Sequence, residues 1–459
     1  APACLYSWQE LDASSLQQRR MKAPDIMENI QFPPSIWAAT APARKPAFSL
    51  SSDTEADVVI VGGGFTGLSA ALHLARRGKR VLLLEGKAVG WGASGRNNGQ
   101  VIPTMTAAEP DAIAKRYGTS GERFAKLIGN SADILFCIVR EENIEAEAEQ
   151  TGWFQPAHSP GRVQLSKARV EAWKRFGFPA EYLDSAATAK LLGSDFWYGG
   201  MFNPTGGHIN PLALARGLAA AAERHGAVIH EQSPVTSYER KGDHWEVRTD
   251  NATVRAKGFL LATNTYTGEL REKLAPRLAR TIVPVLSWQM ATTPVSDNLR
   301  ATILPGRQAV SDTRGDLRFF RYDARNRLIT GGVVMGDYNV AERVKHKAAR
   351  NLAEAFPALG EPEMTHVWSG YIGMTWDRFP RVHQLGTDGW AWIGCNGRGV
   401  ALGTALGREI ARALDGEPVQ ELALPVSEPE PLPFHKIARK IAPFYLAWLR
   451  RKDLKEPNL

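Results

Sequence analysis

The chain has 459 residues, 44% of them hydrophobic and 23% charged, which suits two or three folded domains and excludes a largely disordered protein. Its net charge of +8 is scattered except for a cluster near the C-terminus. No zinc-ligand spacing or RNA-binding signature accompanies it, so neither nucleic acid nor a metal site is expected. Cys4, Cys137 and Cys395 are far apart and odd in number, which argues for a reducing, cytoplasmic compartment. No secretory leader is expected, and the most apolar stretch, 58–75, is too short and too broken by glycine to span a bilayer.

Residues 1–54 are proline-rich and irregular, and are expected to form an arm packed over the surface. Then comes "ADVVIVGGGFTGLSAALHLARRGKRVLLLEG". Its β-branched run at 57–61 predicts a buried parallel strand. Helical periodicity follows over 67–77, stopped by Gly78, and a second strand is expected over 80–84. Residues 110–200 mix amphipathic helices with aromatic loops. A helix and a short strand at 227–230 come next, and then the buried strand and polar turn of "GFLLATNTYT". Alternation over 280–345 predicts an antiparallel sheet. "WAWIGCNGRGVALGTALGREIARALDG" repeats the order strand, glycine turn, helix. The last basic, amphipathic stretch, "FHKIARKIAPFYLAWLRRKDLK", is expected to be interrupted by Pro443. It could rest on anionic lipid or dock a redox partner, but is expected to fold back on its own protein.

The pattern Gly62-x-Gly64-x-x-Gly67 suits a dinucleotide. Gly62 allows a tight turn, Gly64 lets the backbone approach a pyrophosphate, and Gly67 lets the helix pack on the strand. The helix N-terminus offers N–H groups and a positive dipole to phosphate. Glu85, eighteen residues after Gly67, can accept hydrogen bonds from a ribose. The loop "VGWGASGRNNGQ" follows at once, where a nicotinamide-binding unit would start another crossover helix.

With these residues on the page, the chain resembles the D-amino-acid-oxidase-like superfamily of FAD-dependent oxidoreductases, and within it the γ-glutamylputrescine oxidase type. The blocks "GWGASGRNNGQ", "GGHINPLALARGLAAAAERHGAVIHE", "LLATNTYT", "WSGYIGMTWDRFP" and "IGCNGRGVALGTALGREIA" follow in the family's order. The resemblance implies a two-domain α/β flavoprotein. A Rossmann-like FAD-binding domain would come from 55–112, 205–268 and 362–424. An interleaved substrate domain on a mixed or antiparallel sheet would come from 113–204 and 269–361, with a tail from 425. Phe65 and Thr66 would join the glycine turn, and Gly86 the ribose acid. Ser94, Gly95, Arg96, Asn97, Asn98, Gly99 and Gln100 would lie along the flavin. The family's usual glycine is replaced by Asn98, which puts the local backbone conformation in question. Val235, Ala262 and Thr263 would flank the adenosine. Gly394, Asn396, Gly397, Gly399 and Val400 would form the last flavin motif, at a helix N-terminus facing flavin N1 and the C2 carbonyl. Relatives with covalent flavin carry their cysteine near the segment matching "GYIGMTW", which here has none. FAD is therefore expected to be non-covalent, with Cys395 a small packed residue.

For the substrate, Arg321 on a strand of the second sheet could fork onto a carboxylate, or be a surface arginine of an edge strand. His208 could face the substrate or pin a turn. Tyr371, Trp368 and Trp376 could line the pocket or fill core, while Thr375 and Asp377 would support a turn beneath the flavin. The implied reaction is oxidation of a primary or secondary amine, with or without a carboxylate. Hydride passes to flavin N5, the imine hydrolyses, and O2 becomes H2O2. Some relatives place a lysine near N5, and the strand "RLITGG" has none. Two alternatives stay open: a dehydrogenase for amino or hydroxy acids that passes electrons to a quinone or protein, and a flavin-containing binding or assembly protein without turnover.

Overall fold

The computed structural model describes residues 32–105, 108–271, 273–334 and 338–456; Cys4 lies outside them. The first strand, β1 (Thr54–Val61), leads through the glycine turn into helix α1 (Phe65–Arg76) and strand β2 (Val81–Leu84). β1 pairs in parallel with β2 and with Thr253–Leu261. The sheet reads Arg381–Gly386, Gly389–Ile393, Thr253–Leu261, β1, β2, Val228–His230, and an antiparallel pair, Val235–Lys241 and His244–Thr249, extends it. The β-branched run fits because both faces are covered. Val58 and Ile60 pack in one core with Leu68 and Leu72 of α1. Val59 and Val61 pack in another with Trp245 and Phe259.

The second sheet carries, in order, Met364–Met374, Val283–Pro294, Arg327–Gly332, Phe319–Tyr322, Ala309–Ser311, Trp153–Pro156, Gly200–Asn203 and Glu181–Leu183. It is mixed, because Ala309–Ser311 runs parallel to Trp153–Pro156 while the other pairs are antiparallel. The fold is thus the expected α/β pair of interleaved domains, with elements moved across the drawn boundaries. Met364–Met374 pairs with Val283–Pro294 from Met374 to Met364. It belongs to the second sheet and not to the dinucleotide-binding sheet. Conversely, the helix Thr119–Glu141 buries Phe124, Ile128 and Leu135 in the core shared with α1.

The N-terminal arm does more than cover the surface. Its short helix Ile36–Thr40 inserts a fully buried Trp37, which donates Nε1–H to the Asn97 carbonyl at 2.8 Å and meets Trp368 edge-on. At the other end, residues 435–455 form one unbroken helix, His435–Lys455, across Pro443. Proline removes one intrahelical hydrogen bond. Here both ends of the helix are tied down. His435 Nε2 lies 2.7 Å from the Ile282 carbonyl, and Asp453 accepts the N–H groups of Gly315 and Asp316.

Candidate active site

A cavity of about 900 Å³ runs from the glycine turn of the first sheet to the face of the second, beneath the C-terminal helix. At one end Gly62 has φ +113°, and a Cβ there would lie 2.8 Å from the Ala262 carbonyl oxygen. A side chain on Gly67 would overlap the Gly62 carbonyl, so the helix-on-turn packing requires glycine. Gly64 caps α1 with no side chain of its own; instead Ser94 Oγ accepts the Phe65 N–H at 3.0 Å. Glu85 accepts from Gly63 N–H at 2.7 Å and from Lys87 N–H at 2.8 Å. Burial is the largest cause that holds its carboxyl above the usual range.

Of the residues singled out in sequence, Gly62, Gly64, Phe65, Thr66, Glu85 and Gly86 line this end, and Val235, Ala262 and Thr263 continue it. Ser94, Arg96, Asn97, Asn98 and Gln100 line the middle, and Asn396, Gly397, Gly399 and Val400 the opposite wall. Gly67, Gly95, Gly99 and Gly394 do not reach it. Gly95 packs on Gly90 and Leu212, Gly99 on Ile209 and Arg321, and Gly394 on Thr375. The left-handed positions of the loop are Gly90, φ +75°, and Gly99, φ +78°, and not Asn98. Asn98 fits because its side chain accepts the Gln100 N–H at 2.9 Å, closing a local turn.

Arg321 is placed differently from either expectation. It is 1% exposed and lies behind the cavity wall. Its Nε, Nη1 and Nη2 donate to the carbonyls of Asn98, Tyr322 and Ile209 at 2.7, 2.9 and 2.9 Å. The guanidinium, pushed down to about 10 chiefly by burial, also stacks on Trp37. It locks the loop to the second sheet. His208 is likewise off the cavity. Its Nε2 lies 3.0 Å from the Arg307 carbonyl, and burial holds its pKa well below the ordinary value. That geometry pins a turn. Tyr371 does line the cavity, edge-on to Tyr266. Trp368 is core, donating to the Arg96 carbonyl at 2.8 Å, whereas Trp376 stands 71% exposed at the rim. Thr375 is tied to Asn396, and Asp377 is paired with Arg381 and Arg116.

Several wall residues escaped the sequence reasoning. Arg398 lies between two glycines of the last motif and is 6% exposed. Its Nε is buried without an acceptor, and no carboxylate pairs with it among the described residues. Burial, then Arg169, lowers it to about 10, which leaves it cationic at neutral pH. The Arg96 side chain stacks 4.2 Å over Trp91, with Nε on the Trp91 carbonyl and Nη2 lacking an acceptor. Gln289 Oε1 and the Tyr266 hydroxyl, both on wall residues, are also buried without partners. The strand Arg327–Gly332 carries no lysine, but Lys347 of the next helix, Val340–Ala355, reaches its end. There Nζ lies 2.6 Å from Asp316 Oδ2 and 3.3 Å from the Val333 carbonyl.

Comparison with known proteins identifies the family. The model of the DAO family, FAD dependent oxidoreductase, matches residues 57–413. The chain belongs to this family. Gamma-glutamylputrescine oxidoreductase of Escherichia coli strain K12 is 32% identical over 385 residues, which is 83% of this chain and 89% of that protein. Human mitochondrial dimethylglycine dehydrogenase is 28% identical over 81% of this chain and 44% of its own length. Among solved structures, L-proline dehydrogenase from P. horikoshii superposes with a TM-score of 0.68 at 19% identity, covering 83% of this chain and 98% of that one. This DAO-family chain is therefore an FAD-dependent oxidoreductase. Its cavity fits the cofactor on its own evidence. A helix N-terminus whose N-cap residue is a glycine and the half-buried Glu85 carboxylate share one end of a long cleft, where Gly62 lets backbone close tightly on Ala262.

Proposed function

We propose that the chain oxidises a primary or secondary amine that carries a carboxylate, using FAD as acceptor and O2 to regenerate it. The observation that carries this reading is Arg398: a desolvated cation on the cavity wall whose guanidinium has no carboxylate partner among the described residues. A buried cation without a counter-ion is costly, and a ligand carboxylate removes that cost by forming a bidentate, charge-assisted contact. FAD bound along the glycine turn supplies the acceptor for a hydride from the carbon beside the amine nitrogen.

The chain's own residues do the rest. Arg398 fixes the carboxylate end. Tyr371 and Tyr266 wall the apolar part of the substrate, and Gln289 Oε1 offers an acceptor for an amine N–H. Arg96 and Arg398 together place positive charge around the site. That lowers the pKa of a bound ammonium and favours the neutral amine, the form that can be oxidised. Ala442 and Leu449 of the C-terminal helix exclude water from above. The relatives named for γ-glutamylputrescine and dimethylglycine support the amine class.

FAD is non-covalent in this reading. Cys395 lines the cavity, so flavin that stayed on acid-precipitated protein would point to a bond there. Against flavin binding without turnover, Asn98 closes its turn without strain; Lys347 is held by Asp316 and does not line the cavity, so it does not replace the lysine absent from the strand. The test is anaerobic mixing of FAD-loaded protein with a panel of amines at about pH 8–9, where more amine is neutral. Bleaching of the flavin by carboxylated amines supports the proposal. Fast recolouring on adding O2 separates an oxidase from a dehydrogenase.

A further inference from the structure

The C-terminal helix His435–Lys455 carries apolar side chains along the cavity and on its exposed surface. Ala438, Ile441, Ala442, Phe444, Tyr445 and Leu449 border the cavity. Ile437, Ile441, Phe444 and Trp448 recur at the i, i+4, i+7, i+11 spacing of one helical stripe and are 55%, 56%, 66% and 55% exposed, with Ile441 and Phe444 standing where the stripe meets the cavity rim. Single exposed apolar residues need no explanation, but a stripe of four along three turns does.

Charge sorts in the same direction. Lys436, Lys440, Arg451, Lys452 and Lys455 are exposed. The helix's acid, Asp453, turns inward onto the Gly315 and Asp316 N–H groups, and Glu456 just beyond it pairs with Arg162. Lys452 also lies 5.8 Å over the Trp448 ring. The aromatic rim continues off the helix. Arg378 donates to the Tyr445 hydroxyl at 3.2 Å, and Trp376, two residues before it, is 71% exposed. No helix among the described residues is long and apolar enough to cross a membrane.

An exposed apolar stripe with aromatics, flanked by lysine and arginine and cleared of acid, is complementary to one kind of surface. We propose that this helix seats the protein on an anionic lipid bilayer, lying in the interface plane with Ile437, Ile441, Phe444 and Trp448 among the acyl-chain ends and the lysines at the headgroups. The helix is also the cavity's roof, so the docked protein would present that side of its cavity to the membrane.

Sedimentation of the FAD-loaded full chain with lipid vesicles tests this. The protein should pellet with phosphatidylcholine vesicles containing about one-third phosphatidylglycerol, and far less with pure phosphatidylcholine or at high salt. Ile437→Ser with Trp448→Ser, and separately Lys440→Gln with Lys452→Gln, should each weaken binding at least about ten-fold, with flavin content unchanged. Wild-type protein that stays in the supernatant with the anionic vesicles overturns the proposal. So does an Ile437→Ser/Trp448→Ser variant that pellets like wild type. A dimer in sedimentation velocity that this same variant dissociates would give the face to a second copy and also overturn it.

Discussion

Arg321 and Arg398 are both buried arginines with a pKa near 10, and their different partners separate their roles. Arg321 gives every nitrogen to a backbone carbonyl. Arg321→Leu should strand these acceptors and lower stability by about 3 kcal/mol or more, read as a fall in thermal midpoint. The preference for carboxylated over plain amine should not change. Arg398→Met should instead leave the midpoint close to wild type and erode that preference, with Arg398→Lys restoring it in part, because an ammonium lacks the planar fork. Sequence could not tell these two apart. Alternation along "RFFRYDARNRLITGG" draws attention to Arg321, while Arg398 hides in a glycine turn valued for its backbone. Which guanidinium is already satisfied depends on carbonyls at Asn98 and Ile209, over a hundred positions away in sequence.

At the scale of elements, the turn between β1 and α1 carries the sharpest expectation. A Cβ on Gly64 would lie 2.9 Å from Ser94 Oγ, the group that caps Phe65 N–H. Gly64→Val should push that cap aside, fill the approach to the helix N-terminus and abolish FAD retention through gel filtration, while circular dichroism stays native. Glu85→Gln should weaken retention less, since it keeps an acceptor for Gly63 N–H. Local signals served well here, because strand, turn and helix are set by neighbouring residues: the helix expected over 67–77 is Phe65–Arg76, and the strand expected over 80–84 is Val81–Leu84. They failed for Met364–Met374, whose sheet is decided by pairing with Val283–Pro294 and not by its own pattern. They failed too for the arm, where one buried indole, Trp37, turns an irregular segment into a support for the loop that holds Asn97.

The whole molecule answers to pH and to substrate. Burial is the largest cause that lowers His73 from 6.5 to about 4. The unfolded chain takes up a proton near 6.5 that the folded His73 refuses until about 4. Its contribution is therefore complete above 6.5 and is lost as pH falls toward 4, by up to about 3 kcal/mol. Thermal melts between about pH 7.5 and pH 5 should show this decline, and His73→Gln should flatten it. The central claim concerns the cavity that the two sheets share, with the glycine turn at one end and on its wall an arginine that has no carboxylate partner among the described residues. It is tested most directly by anaerobic rapid mixing of FAD-loaded wild type and Arg398→Met with one carboxylated amine and its analogue lacking the carboxylate. Flavin reduction by the carboxylated amine should fall about ten- to one-hundred-fold per unit concentration in the variant, while the analogue reacts alike with both proteins. Equal losses on both amines, or a flavin that no amine reduces, would contradict the account.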